Sequence, residues 1–273
     1  MAPQPAPRPT QETAGGFSLN TDLDAALQGF AAARRVLVCL DFDGCVAELV
    51  ADAMQARPVQ TNAAAIERLA VLDGVELAYV SGRPLQALRQ LAAPPAGTLL
   101  VGSHGAEKYL GEDSPGLELD ADQQRARANL LEALETITAQ HEGAWLEHKP
   151  AGGAIHVRRI DDDAQAESVL EQARQALAAI DGVSPKEGKK ILEAVVVQST
   201  KGEAIQELRE LLKPDAVLFA GDDVTDEYGF AVLGEADIGV KVGAGETQAG
   251  HRIPNPASLA AVLNRLADLR AHR

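Results

Sequence analysis

The run VLVCLDFDG, residues 36–44, carries an apolar segment into two aspartates separated by one residue, Asp41 and Asp43. In an extended chain alternate side chains share a side, so both carboxylates can face one reacting atom. Neighbouring carboxylates push their pKa values apart, which suits one to attack an electrophile and the other to move a proton. The plainer alternative is a polar strand end entering a turn, where Asp and Gly are common. A second acidic run, GDDVTDE at 221–227, follows the apolar AVLFA. Four carboxylates in six residues exceed what a helix start requires. Oxygen donors at a strand end suit Mg2+, which takes one or two carboxylates and keeps several waters. No His/Cys cluster offers a competing metal site.

Two further residues could handle an anion. Lys201 follows Thr200, and Thr200 with Glu203 has capping-box spacing, so Lys201 falls in the first turn of a helix. A cation there opposes the helix dipole by about 0.3–1 kcal/mol. It is either an exposed lysine tolerating that cost or one that grips an anion together with the helix end. Ser81, in YVSGRP, is placed to cap a helix with Pro84 near the first helical position. Its hydroxyl and the neighbouring backbone N–H of Gly82 would equally cradle a phosphoryl oxygen.

These residues need a scaffold that delivers them to one place. RVLVCL, VELAYV, GTLLVG and AVLFAG are continuous apolar runs separated by amphipathic stretches, the pattern of a parallel sheet covered on both faces. Function in such sheets gathers at the carboxyl ends of strands, where Asp41/Asp43, Ser81/Arg83, His104/Glu107 and Asp222/Asp223 all fall. Aromatics make up only 3% of the chain, so the core must be aliphatic and alanine-rich. A net charge of −15 argues against nucleic-acid or anionic-membrane partners, and an anionic substrate would need a local positive site. No apolar run approaches the roughly 18 residues that span a bilayer. Residues 1–17, rich in proline and polar side chains, read as a disordered tail without an apolar leader. Cys39 and Cys45 flank a strand end and fit reduced thiols in a cytoplasm.

Between about 109 and 197 the pattern changes to helix, strand, strand, helix and strand. Leu130, Leu134 and Ile137 recur at helical spacing, and AWLEHKP and GAIHVRRI flank residues 150–153 as a hairpin. Glu147 and Lys149 share one face of the first strand, with Leu146 and His148 on the other. Glu193 interrupts the apolar ILEAVVV, which suits a polar cleft or a solvated sheet face.

The order of these motifs resembles the haloacid dehalogenase (HAD) phosphatases. GSHGAE at 102–107, the complete GDDVTDE, and VKVGAGETQA at 240–249 are similar to the trehalose-6-phosphate phosphatase family, from about residue 36 to the final helix. The resemblance implies an α/β fold: a Rossmannoid core of 18–108 and 198–273, with a parallel sheet and helices on both faces, and an inserted α+β cap of 109–197. It implies Asp41 as nucleophile and Asp43 as general acid/base. Mg2+ would be held by the Asp41 carboxylate, the Asp43 backbone carbonyl and Asp222. Ser81, Gly82 and Lys201 would bind the phosphoryl group, with Asp223 and Asp226 acting from behind. Glu147, Lys149 and Glu193 would meet disaccharide hydroxyls, with Lys189 beside them and Arg83, His104 and Glu107 as further cleft residues. The implied activity is hydrolysis of trehalose 6-phosphate through an aspartyl-phosphate, by a cytoplasmic monomer. A phosphatase for another sugar phosphate, such as sucrose 6-phosphate, and a non-catalytic sugar-phosphate sensor are the alternatives. One departure stands out: Cys45 occupies the position where the family usually has Thr, and VAELV follows where a proline is usual.

Overall fold

A computed structural model describes residues 17–111, 114 and 117–272. The chain runs α1 (Thr21–Ala31), β1 (Val36–Leu40), α2 (Gln60–Ala70), β2 (Val75–Val80), α3 (Leu85–Ala92), β3 (Leu99–Gly102) and β4 (Glu107–Tyr109). It continues through α4 (Ala121–Gln140), β5 (Trp145–Lys149), β6 (Gly152–His156), α5 (Asp163–Ala178), β7 (Ser184–Gly188) and β8 (Ile191–Val195). It closes with α6 (Lys201–Leu212), β9 (Ala216–Gly221), α7 (Glu227–Phe230), β10 (Ile238–Val242), β11 (His251–Ile253) and α8 (Leu259–Ala271). Seven strands form one sheet in the order β11-β10-β9-β1-β2-β3-β4, parallel except for β4. Four strands form a separate antiparallel sheet, β5-β6-β8-β7.

Strand β1 is central, and every residue of it is buried. Val36, Val38 and Leu40 face a cluster with Leu27, Leu69 and Leu266 from α1, α2 and α8. Leu37 and Cys39 face the opposite cluster with Ile205 and Leu208 from α6. Burial on both faces explains why this strand reads as an unbroken apolar run rather than an alternating one. The small sheet has its own core, in which Leu130 and Leu134 of α4 and Val169 and Leu170 of α5 pack on Ile155 and Leu192. The α/β architecture with a parallel sheet and a second, antiparallel α+β unit is therefore present.

Two features differ from the sequence reading. Strand β7, with the sequence SPKEG, is almost wholly exposed and contains Pro185. It is an edge strand, where proline and charge are tolerated because one side needs no partner, so it carries no apolar signature. Phe17, assigned above to the tail, packs against the main core cluster; the rest of that tail, 1–16, lies outside the described residues. Cys39 and Cys45 are both buried and free, and burial pushes both thiols above their usual range. Cys45 is thereby kept protonated and shielded from oxidants. Among the described residues no helix is long and apolar enough to cross a membrane.

Separate cores predict separate responses. Replacing the fully buried Leu130 with alanine should destabilise the small unit by about 2–5 kcal/mol. Hydrogen exchange should then speed up across 119–197 while β1 and β9 stay protected. Equal acceleration in both sheets would show one indivisible core.

Candidate active site

Asp41 follows directly on β1, and its backbone N–H bonds to the Ala220 carbonyl of β9. That pairing brings the GDD run beside Asp41. Gly44, at φ 71°, turns the chain so closely past the acidic loop that a Cβ there would collide with the Asp222 carboxylate. Carboxylate oxygens of Asp41, Asp222 and Asp226 all lie within 4.8 Å of one another.

One cation sits among them. The Lys201 ammonium is 2.9 Å from Asp41 Oδ1 and 2.6 Å from Asp226 Oδ1, and the lysine is only 2% exposed. Thr200 and Glu203 form the capping box, which fixes the helix start and aims Lys201 inward. Burial pulls the Lys201 pKa down, but Asp41 and Asp226 outweigh it and hold the ammonium above the usual lysine range. Burial pushes the Asp41 carboxyl up, against the pull of Lys201. Burial, with Asp226 and Asp223 beside it, pushes Asp222 up to about 6. Three carboxylates against one ammonium leave buried negative charge uncompensated, and every donor is oxygen. The residues present therefore fit a hard divalent cation such as Mg2+.

Asp226, expected only behind the site, is its structural centre. It is fully buried, and its Oδ2 accepts the backbone N–H groups of both Asp222 and Asp223 at 2.9 Å. Asp223 caps the following short turn through Val224 N–H. Lys241 of β10, absent from the sequence reading, donates to the Asp222 backbone carbonyl at 2.6 Å. The signal was present: a charge inside the buried strand IGVKV has to face a polar partner.

The second aspartate is turned elsewhere. Both Asp43 carboxylate oxygens accept from Arg83, from Nε at 2.5 Å and from Nη2 at 2.6 Å. Arg83 is thus engaged with Asp43 rather than free in the cleft. Ser81 is buried at the end of β2 and its Oγ accepts from the Arg83 N–H at 3.3 Å. It does not cap α3. Glu107 does so instead, its Oε2 accepting from Leu85 N at 3.1 Å and from Ser103 Oγ at 2.5 Å. Glu107 is buried in this role, bracing the turn between β3 and β4, and it does not line the cavity between the sheets.

That turn is strained. Ser103 and His104 both have positive φ, 49° and 58°, without being glycine. The conformation lays the His104 ring against Gly82, where any Cβ would clash with it. Burial, and then the charges of Lys201 and Lys186, pull the imidazole pKa down to about 4, so it is neutral near pH 7.

A cavity of about 370 Å3 separates the two sheets. Gly82, His104 and Lys201 line it from the large sheet, and Lys149, Lys186 and Glu193 from the small one. Lys149 and Glu193 are paired with each other on the small-sheet wall at 2.6 Å. Glu147 lies in the same transverse row and on the same sheet face as Glu193, bonded to His156 at 2.8 Å. Lys189 stands exposed on the turn between β7 and β8, outside the lining, and Lys186 lines the cavity in its stead. The polar edge strand hid the register that decides between them.

A parallel core carrying Asp-x-Asp, Ser and Asp-Asp at its strand ends and Lys at a helix start beside them, with a second sheet over them, defines a HAD-type phosphatase. The family described as trehalose-phosphatase matches residues 39–258. The trehalose-6-phosphate phosphatase of Escherichia coli K12 is 33% identical over 218 residues, covering 78% of this chain and 79% of that protein. The chain belongs to the trehalose-phosphatase family, whose members are phosphoric monoester hydrolases. A bifunctional trehalose-6-phosphate synthase/phosphatase of Thermoproteus tenax is 32% identical over 249 residues; the match covers 89% of this chain and 33% of that longer protein. The solved Aspergillus fumigatus trehalose-6-phosphate phosphatase shares the fold with a TM-score of 0.68 at 23% identity, covering 95% of this chain and all of that one.

The uncompensated charge has a pH signature. Asp222 folded has a pKa of about 6 against an ordinary 3.8, so its contribution to metal-free stability is complete below pH 3.8 and is lost as pH rises through 6. Mg2+ should therefore raise the melting temperature more at pH 7.5 than at pH 5. Thermal melts with and without Mg2+ check this; an equal increment at both pH values would contradict it.

Proposed function

We propose that the protein is a Mg2+-dependent phosphatase that converts trehalose 6-phosphate to trehalose and phosphate through an aspartyl-phosphate. The observation that carries the reading is the buried Asp41 carboxylate held by Lys201, which itself lines a cavity whose far wall bears Lys149 and Glu193. In this reading residues 18–108 and 198–273 form the catalytic core, and 109–197 form a cap that reads the sugar. The protein acts as a cytoplasmic monomer on a freely diffusing substrate.

Lys201, the Ser81 hydroxyl and the backbone N–H of Gly82 hold the phosphoryl oxygens with phosphorus in line with Asp41. The Asp41 carboxylate attacks phosphorus, forming an acyl-phosphate bond as the bond from phosphorus to the sugar oxygen breaks. Asp43 gives its proton to that departing oxygen, then takes one from the water that attacks the aspartyl-phosphate and restores Asp41. Both steps require Asp43 to leave Arg83, whose fork occupies both of its oxygens. The Asp41 and Asp222 carboxylates and the Asp43 carbonyl would hold Mg2+, which supplies charge neutralisation to phosphoryl oxygens when bound. Asp223 and Asp226 keep that loop in place, and cap closure excludes bulk water.

The cap residues account for the sugar. Lys149 and Glu193 offer donors and acceptors to hydroxyls, Glu147 extends the patch outward, and His104, neutral, adds a core-side partner. Lys189 would join them only if the β7–β8 turn swings inward on closure.

Two experiments test the reading. Asp41→Asn should lower turnover by at least about a thousandfold while leaving the circular dichroism spectrum unchanged; full activity in that variant removes Asp41 as nucleophile. In a panel of trehalose 6-phosphate, sucrose 6-phosphate and glucose 6-phosphate, the first should have the highest kcat/KM. A higher value for either of the others would reassign the substrate, and no Mg2+-dependent phosphate release from any would favour a sensor.

A further inference from the structure

Three lysines line the cavity, and two are matched: Lys201 with Asp41 and Asp226, and Lys149 with Glu193. Lys186 is the third, and among the described residues it has no carboxylate within ion-pair distance. Its situation is odd for a lysine in a sheet. Lys186 lies directly across from Glu193 in the β7–β8 register, where opposite charges usually pair. Glu193 is already taken by Lys149 from the other side, so the Lys186 ammonium is left facing the cavity.

The register places it among sugar-reading candidates. Glu147 pairs with Ala154, Ala154 with Glu193, and Glu193 with Lys186, so the three charged residues lie in one transverse row. Lys149 and Ser184 occupy the two ends of the next row, across Gly152 and Val195. The opposite sheet face, with Leu146, Ile155 and Leu192, is committed to the small core. Two ammoniums and two carboxylates make a patch without net charge but rich in donors and acceptors, which suits a polyol and disfavours a second anion. A phosphate anchored at Lys201 directs its sugar away from β1 toward this patch.

We propose that Lys186 is a specificity-determining residue of the cleft: its ammonium donates to hydroxyl oxygens of the sugar unit that does not carry the phosphate, selecting phosphorylated disaccharides over phosphorylated monosaccharides. The inference rests on the functional reading above and refines its substrate class. Lys186 is exposed, so its side chain is not part of either core and truncation leaves the fold standing.

The test uses the full chain with Mg2+, comparing the parent with Lys186→Met and Lys186→Arg on trehalose 6-phosphate and glucose 6-phosphate, with melting temperature as the folding control. In Lys186→Met, KM for the disaccharide ester should rise about tenfold with kcat within about twofold, and the disaccharide-to-monosaccharide ratio of kcat/KM should fall by about the same tenfold factor. Lys186→Arg should keep most of that ratio. An unchanged ratio, whether neither substrate or both lose equally, overturns the assignment, the second outcome placing Lys186 on the phosphate instead. A parent inert toward both esters overturns the functional reading itself, and this inference with it.

Discussion

The buried ammonium of Lys201, shared between Asp41 and Asp226, is the interaction on which the rest of the structure depends. Burying one carboxylate without a partner would force its protonation, and burying two beside each other would be worse. The lysine makes the juxtaposition tolerable and joins β1, α6 and the loop after β9 in a single contact. Around it the fold makes room by omission: Gly44 and Gly221 sit where any side chain would strike Asp222 or Asp226. The capping box at Thr200 and Glu203 offsets the unfavourable placement of a cation in the first turn of a helix.

Nearly every other positive group near the cleft is also occupied. Arg83 holds Asp43, Lys241 holds the carbonyl of Asp222, and Lys149 holds Glu193. In a chain of net charge −15 this is how a site for an anion is kept from being flooded by the protein's own carboxylates. It also means that binding is an exchange of partners. In the proposed reaction the phosphoryl group takes Lys201 into its own shell, and Asp43 trades Arg83 for the sugar oxygen. Such exchanges cost less than creating new charges in a buried cavity, because each group leaves one hydrogen-bond partner for another.

Much of this was legible in the sequence because the main strands are buried on both faces. An unbroken apolar run ending in Asp41 or Asp222 announces both a parallel strand and its functional end. The start of α6 was equally plain, its Thr200 and Glu203 forming the capping box their spacing predicts, whereas the cap expected from Ser81 at α3 is not made. What stayed hidden depends on contacts between distant loops. Nothing local shows that Glu107 reaches Leu85 N rather than the cleft, or that Arg83 reaches back to Asp43. Asp226 and Asp223 look alike in the string GDDVTDE, yet one is the fully buried bracket and the other a turn cap. Strand β7 escaped because an exposed edge needs no apolar pattern, and with it went the register that puts Lys186 rather than Lys189 in the cavity.

The central claim is that phosphate passes through a covalent bond to Asp41 on its way to water. Stereochemistry at phosphorus tests it most directly, with a sugar phosphorothioate ester made chiral by sulfur and two oxygen isotopes and hydrolysed in water carrying the third oxygen isotope. Two successive in-line displacements predict net retention in the released thiophosphate. Net inversion, the signature of a single direct attack by water, would contradict the account.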